Sequence, residues 1–185
     1  MYNVACVKWG DKFSPEYVNR LFYGVRRNAT VPFKFHCFTE NMTGIDVDIQ
    51  IHPLTHPKIP GWWQKLFLFS GELEFKQGRM LFIDLDTLIV GNIDKYITHS
   101  TGFAALQDFW RKGDNVGSAV MNFEIGKHQY LWDNFKDDYE RHIRLYHPHG
   151  DQKWIQNYQT ERQYWQQMYP NEVVSFKSHC RAGVP

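Results

Sequence analysis

Cysteine is scarce in this chain. Cys6, Cys37 and Cys180 are odd in number and far apart, and no Cys-x-x-Cys pair occurs. That excludes a zinc ribbon and a disulfide framework. Cys6 and Cys37 fall in expected strands, and buried, reduced thiols of a cytoplasmic protein fit this pattern best. Charge of one sign is missing too: 21 Lys and Arg oppose 20 Asp and Glu, leaving a net charge of +1. No overall field recruits nucleic acid or an anionic membrane, and no basic stripe frames a pair of strand aromatics as a nucleic-acid module would need. Long apolar runs are absent. Nothing reaches membrane-spanning length, so no transmembrane segment is expected, and Met1 leads almost directly into a strand with no basic and apolar leader before it. No internal repeat, low-complexity tract or linker divides the sequence. Its 185 residues therefore read as one domain, long enough to bury a good core.

Aromatic residues, by contrast, make up 17% of the chain. That exceeds what a core of this size needs. Either the surplus packs a partner chain, or part of it lines a groove of the kind that suits sugars and nucleobases.

The most informative stretch runs from Arg79 to Val90. Met80 to Ile83 is an unbroken apolar run, the pattern of a strand buried on both faces. It ends in two carboxylates, Asp84 and Asp86, one residue apart. In extended chain, positions i and i+2 point the same way, so both acids are expected to face one spot at the carboxyl end of a central strand. In open α/β sheets ligands bind there. Two like charges held close resist ionising together unless a cation lies between them, and a hard divalent ion, Mg²⁺ or Mn²⁺, suits oxygen ligands. The competing reading is that the acids cap a helix or solvate a turn.

Around this stretch the elements alternate. Val4 to Lys8 reads as a first strand. Ser14-Pro15-Glu16 opens a helix with a Ser cap, Pro at the first position and an acid in the first turn, and Val18, Leu21, Phe22 and Val25 follow at helical spacing. Phe33 to Thr39 is the second strand and Asp46 to Ile51 a third. Strand–helix–strand order implies a parallel sheet with right-handed crossovers. His52 to Pro60 reads as a loop with solvated His52 and His56. Gly61 to Phe69 starts a helix whose Lys65 either snorkels to water or reaches an anion. Further strands are expected at Phe103 to Leu106, Gly117 to Phe123 and Val173 to Phe176. Tyr130 to Tyr139 reads as a helix, His142 to His149 as a basic loop, and Asp151 as the cap of a helix that buries Trp154 and Ile155.

The pieces together resemble a nucleotide-diphospho-sugar transferase of the GT-A fold, in the style of the glycosyltransferase 8 (glycogenin-like) family. The resemblance rests on Trp9-Gly10-Asp11-Lys12-Phe13 after the first strand, Trp63-Gln64-Lys65-Leu66, Phe82-Ile83-Asp84-Leu85-Asp86-Thr87, Gly117-Ser118-Ala119-Val120-Met121, and Gly150-Asp151-Gln152. It implies an α/β, Rossmann-like, mostly parallel twisted sheet flanked by helices. It also implies transfer of a sugar from a nucleotide-diphosphate sugar, UDP favoured, to a glycan or other hydroxyl acceptor, with retention the family-weighted outcome. By that resemblance Asp84 and Asp86 would hold Mn²⁺ or Mg²⁺ and Lys65 would add a cation near the phosphates. Lys8, Trp9, Asp11 and Tyr17 would hold the base and ribose, with the Leu85 backbone against the ribose. Asp151 and Gln152 would sit beside the anomeric carbon, and Asp108 near the acceptor. One departure stands out: the family's late His-x-Gly segment, source of a third metal ligand, is missing. Either His179 serves, or the domain spanning 1–185 is truncated before the true ligand; the Gly-Val-Pro end favours the second.

Two rival readings remain. A haloacid-dehalogenase-type phosphatase also places two Asp one residue apart after an apolar strand, but that pattern wants a Thr two positions past the second Asp and lies near the chain start; here Thr87 follows at once. A non-catalytic module of the same fold would bind nucleotide sugar or glycan without turnover.

Overall fold

The first strand, β1 (Tyr2–Lys8), shows why the chain builds a sheet covered on both faces. Val4 and Cys6 join the core on one side and Ala5 the core on the other, and all three are inaccessible to solvent. The alternation follows from the two-residue repeat of a strand. It recurs in β4 (Arg79–Ile83), where Leu81 and Ile83 face one way and Met80 and Phe82 the other. A strand with two dry faces has no polar positions, hence the apolar run that announced it. Phe82 is wholly buried, and burial of such a side chain stabilises by roughly 2–3 kcal/mol.

The computed structural model describes residues 1–111 and 113–181. Among them seven strands form one mixed sheet in the order β3-β2-β1-β4-β6-β5-β7. The remaining strands are β2 (Phe33–Thr39), β3 (Gln50–Pro53), β5 (Ala104–Gln107), β6 (Val116–Glu124) and β7 (Gln163–Tyr164). Strands β3, β2, β1 and β4 run parallel, β6 runs antiparallel between β4 and β5, and β7 pairs parallel with β5. Helix α1 (Pro15–Asn28) covers one face through Val18, Leu21 and Val25. The other face carries a 3₁₀ helix (Gly61–Phe69), α3 (Tyr130–Lys136) and α5 (Gly150–Tyr158), which contribute Trp63, Leu66, Trp132, Phe135 and Trp154. Trp63 stacks on Phe135 at 5.0 Å. The remaining α-helices are α2 (Asp94–Ile97), α4 (Tyr139–Leu145) and α6 (Trp165–Met168). No helix among the described residues is long and apolar enough to cross a membrane.

Several local expectations are corrected. Ser14 occupies the cap position of α1, but its side chain makes no capping hydrogen bond. The third strand starts at Gln50, so His52 lies in a strand and is buried. The expected helix over Tyr130 to Tyr139 breaks in two around Asp137 and Asp138; acids oppose the dipole at the end of α3 and suit the start of α4. Residues His142 to Leu145 are helical rather than loop. No strand forms at Val173 to Phe176, where the chain leads instead into a π-helical turn, Phe176–Cys180. Cys6 and Cys37 are buried, side by side on β1 and β2, while Cys180 is exposed.

Candidate active site

The carboxyl ends of β1 and β4 open onto a cavity of about 460 Å³. One wall is the loop after β1, from Trp9 to Phe13. A further stretch of wall comes from the start of the 3₁₀ helix (Gly61, Trp62) and from Pro148, His149, Asp151 and Gln152 around the start of α5. Lys65, Asp84, Leu85 and Asp86 line the cavity as well.

The carboxylate pair reaches this floor by a route other than plain extension. Strand β4 stops at Ile83, and Thr87 N–H donates to the Asp84 carbonyl at 3.1 Å, closing a turn over residues 84–87. Both acids still line the cavity. Asp86 is exposed and, among the described residues, free of hydrogen bonds and ion pairs. Asp84 is held: Lys65 Nζ donates to its two oxygens at 3.0 and 3.1 Å.

Lys65 is buried, with 5% of its side chain accessible. It donates to Ser118 Oγ at 3.2 Å and pairs with Asp151 Oδ2 at 3.5 Å. Ser118 Oγ in turn donates to Asp151 Oδ2 at 2.6 Å. Asp84, Ser118 and Asp151 thus surround the three donors of one ammonium. The buried lysine is not a snorkelling one. Burial penalises its charge, but Asp151 and Asp84 more than offset that and hold its pKa above the ordinary lysine value. The Asp84 carboxyl moves up as well, to about 6: burial raises it, Lys65 opposes, and the Asp151 and Asp86 charges add to burial. One cation shared by crowded carboxylates leaves net negative charge in the cavity.

Of the residues expected at the site, Trp9, Asp11, Lys65, Asp84, Leu85, Asp86, Asp151 and Gln152 are brought to this cavity. Asp151 is not a cap, as it lies inside α5, buried, with His149 at the cap position. Lys8 is buried behind the loop and donates to the Gly10 carbonyl at 3.1 Å, a prop rather than a wall. Tyr17 stands a layer back. Its ring packs edge-on against Phe13 at 4.9 Å and borders an adjoining depression that Asp86 also lines. Asp108 does not line the cavity. Its Oδ1 accepts from the backbone N–H groups of Trp110 and Arg111, and its Oδ2 from Arg111 Nε at 2.7 Å. These bonds outweigh burial and lower its pKa. His179 does not come to the pair: Ser175 N–H donates to its Nδ1 at 3.0 Å and its ring edge meets Phe109. Among the described residues no group of three or more His, Cys, Asp or Glu could hold a metal ion.

Sequence reasoning missed Lys12, Trp62 and His149, which line the cavity. It also missed Ser118 and Arg111 as ties between elements. Arg111 Nη2 donates to Gln152 Oε1 at 3.3 Å, joining the segment after β5 to α5. An exposed Trp beside a glycine was the available signal for Trp62. The partners of Ser118 and Arg111 lie 33 and 41 residues away, beyond any local pattern.

No protein-family model and no curated protein sequence matches this chain. Solved structures do. The glycosyltransferase GlyE of Streptococcus pneumoniae TIGR4 superposes with a TM-score of 0.62 at 12% identity, covering 91% of this chain and 46% of GlyE. The galactosyltransferase LgtC, solved in complex with donor and acceptor sugar analogs, superposes with a TM-score of 0.53 at 12% identity, over 88% of this chain and 66% of LgtC. This chain therefore spans about half the length of GlyE and about two thirds of LgtC. The likeness shows the fold: a mixed seven-stranded sheet with flanking helices, the GT-A architecture.

Proposed function

We propose that this chain is a metal-dependent glycosyltransferase domain. It moves a sugar from a nucleotide-diphosphate sugar, UDP-sugar favoured, to an acceptor hydroxyl. The observation that carries the reading is the Asp84–Asp86 pair at the carboxyl end of β4, in a cavity walled by the β1 loop and the start of α5. The GT-A fold and the sugar analogs in LgtC support it.

The donor set fits a hard divalent ion. Mg²⁺ is commonly bound by one or two carboxylates plus substrate phosphates and water, so Asp84 and Asp86 suffice without His179, and the net negative charge around Lys65 favours a further cation. Bound there, Mn²⁺ or Mg²⁺ would supply Lewis-acid neutralisation of the diphosphate. Lys65 fixes Asp84 and Asp151 in place; with its donors occupied, it is a positioning residue and not a phosphate ligand. Lys12, exposed on the β1 loop, is the side chain available to a phosphate oxygen. Trp9 and Asp11 offer an aromatic face and a hydroxyl acceptor for base and ribose. Asp151 and Gln152 line the wall where the sugar would lie as its anomeric carbon becomes oxocarbenium-like. Asp108 acts through Arg111, which steadies Gln152. Retention is the proposed stereochemical outcome.

The test is turnover. With UDP-glucose or UDP-galactose, Mn²⁺ and a lactoside acceptor, UDP should be released in step with a new glycoside, and the anomeric proton of the product should report retention. Tight UDP binding with no release would instead make the domain a binding module.

A further inference from the structure

Trp62 is an anomaly of packing. It is 57% exposed, whereas its neighbour Trp63 is buried. It makes no hydrogen bond, ion pair or ring contact with the described residues. Yet its position is defined. A Cβ placed on Gly150 would lie 2.4 Å from Trp62 Nε1 and 3.1 Å from Cδ1, so the pyrrole edge rests directly on the backbone at the start of α5. Gly150 has a φ of +66°, which favours glycine in any case, and the missing side chain is what gives the indole its place. The next two residues are Asp151 and Gln152 on the same cavity wall.

We infer that the Trp62 indole is the platform for the apolar face of a hexopyranose ring in this cavity. The inference rests on the glycosyltransferase reading and deepens it by naming a sugar subsite. A pyranose presents C–H groups on its faces and hydroxyls around its rim, so it needs an aromatic plane beside polar groups. Gln152 supplies those: Arg111 occupies its Oε1, and its Nε2 makes no hydrogen bond within the described residues and is left to donate to a hydroxyl. His149, exposed on the same wall, offers a second polar edge. A nucleobase would also stack on an indole, but Trp9, on the loop after β1, is the aromatic that the proposed function assigns to the base.

The experiment compares wild type, Trp62→Ala and Trp62→Phe by saturation-transfer NMR and calorimetry. The probes are UDP with Mn²⁺, UDP-glucose, UDP-galactose, methyl β-D-galactopyranoside and methyl β-lactoside. Trp62 is largely exposed, so both variants should keep the wild-type melting temperature. Wild type should saturate the ring C–H protons of at least one sugar probe. Trp62→Ala should lose that signal and bind the probe roughly tenfold more weakly, the scale of one aromatic contact. Trp62→Phe should restore most of both, and UDP affinity should not change across the three. Contact through the hexose of a UDP-sugar assigns the platform to the donor; contact with a free glycoside assigns it to the acceptor. Sugar contact that survives Trp62→Ala, a panel in which no sugar touches wild type, or UDP binding that falls with Trp62→Ala would overturn the inference. In each of those cases metal-dependent UDP binding by wild type would leave the glycosyltransferase reading standing, and its absence would end that reading separately.

Discussion

Replacing Lys65 by Met keeps most of the side-chain volume and deletes the charge. The Lys65 side chain is 5% exposed, the Asp151 side chain 4% and the Asp84 side chain 32%. Without the cation, Asp151 keeps the Ser118 hydroxyl as its one side-chain partner among the described residues, and its charge repels that of Asp84 unscreened by Lys65. Removing one member of a buried pair typically costs about 3–5 kcal/mol. Asp84 keeps a third of its surface in water and can relax outward, so the expected loss is about 2–4 kcal/mol. Domains of this kind have roughly 5–15 kcal/mol to lose, so Lys65→Met should fold but unfold earlier, with a urea midpoint lower by on the order of 1 M. Urea titration followed by tryptophan fluorescence measures it. The double variant Lys65→Met/Asp151→Asn should recover part of the loss, giving a coupling of about 1–2 kcal/mol. A loss below about 1 kcal/mol for Lys65→Met, or strict additivity in the double variant, would mean that the lysine is solvated and the ionic floor is not as described.

Acid should weaken the fold through its buried histidines. Burial holds His36 and His128 at about 4, below the ordinary value of 6.5. A group depressed in the native state contributes its full stability above the unfolded pKa and loses it as pH falls. The loss should therefore run between about pH 6.5 and 4, on the order of 2 kcal/mol for each histidine by pH 5; urea melts at pH 7 and pH 5 check it, and a His36→Phe variant with an unchanged slope would contradict it. Gly150→Ala should cost about 1–2 kcal/mol for a left-handed backbone carrying a Cβ. The same change should displace Trp62 and alter its fluorescence, whereas an unmoved melting temperature and spectrum would refute the contact.

The parts of the fold that could be read were those whose signal is local. Phe33 to Thr39 matches β2 residue for residue, because Phe33, Phe35 and Cys37 alternate with Lys34 and His36 at the two-residue period of a strand, while β4 shows as an unbroken apolar run. Asp84 and Asp86 were found because they end such a run. Asp151 was misread as a cap: Gly-Asp-Gln is a fair local pattern for one, and only the fold brings Ser118 and Lys65 to claim the carboxylate. His52 failed for the same reason. Its Pro- and His-rich surroundings read as loop, but its Nε2 meets His36 Nδ1 at 2.9 Å and its ring stacks on Phe38 at 4.8 Å. Strand β7 is two residues long, too short for any alternation to show. Tyr17 and His179 were assigned from a family pattern alone, and neither lines the cavity.

The central claim is that Asp84 and Asp86 hold a divalent ion and a nucleotide diphosphate together. Asp86 is exposed and without ion-pair or hydrogen-bond partners among the described residues, so Asp86→Asn should leave the melting temperature of the free protein unchanged. The decisive measurement is the thermal shift produced by UDP, with and without Mn²⁺, in wild type and in this variant, since a ligand of the native state raises the melting point by mass action. The account predicts a UDP shift in wild type that requires Mn²⁺ and is abolished by Asp86→Asn. An equal shift in the variant, or a shift indifferent to the metal, would contradict it.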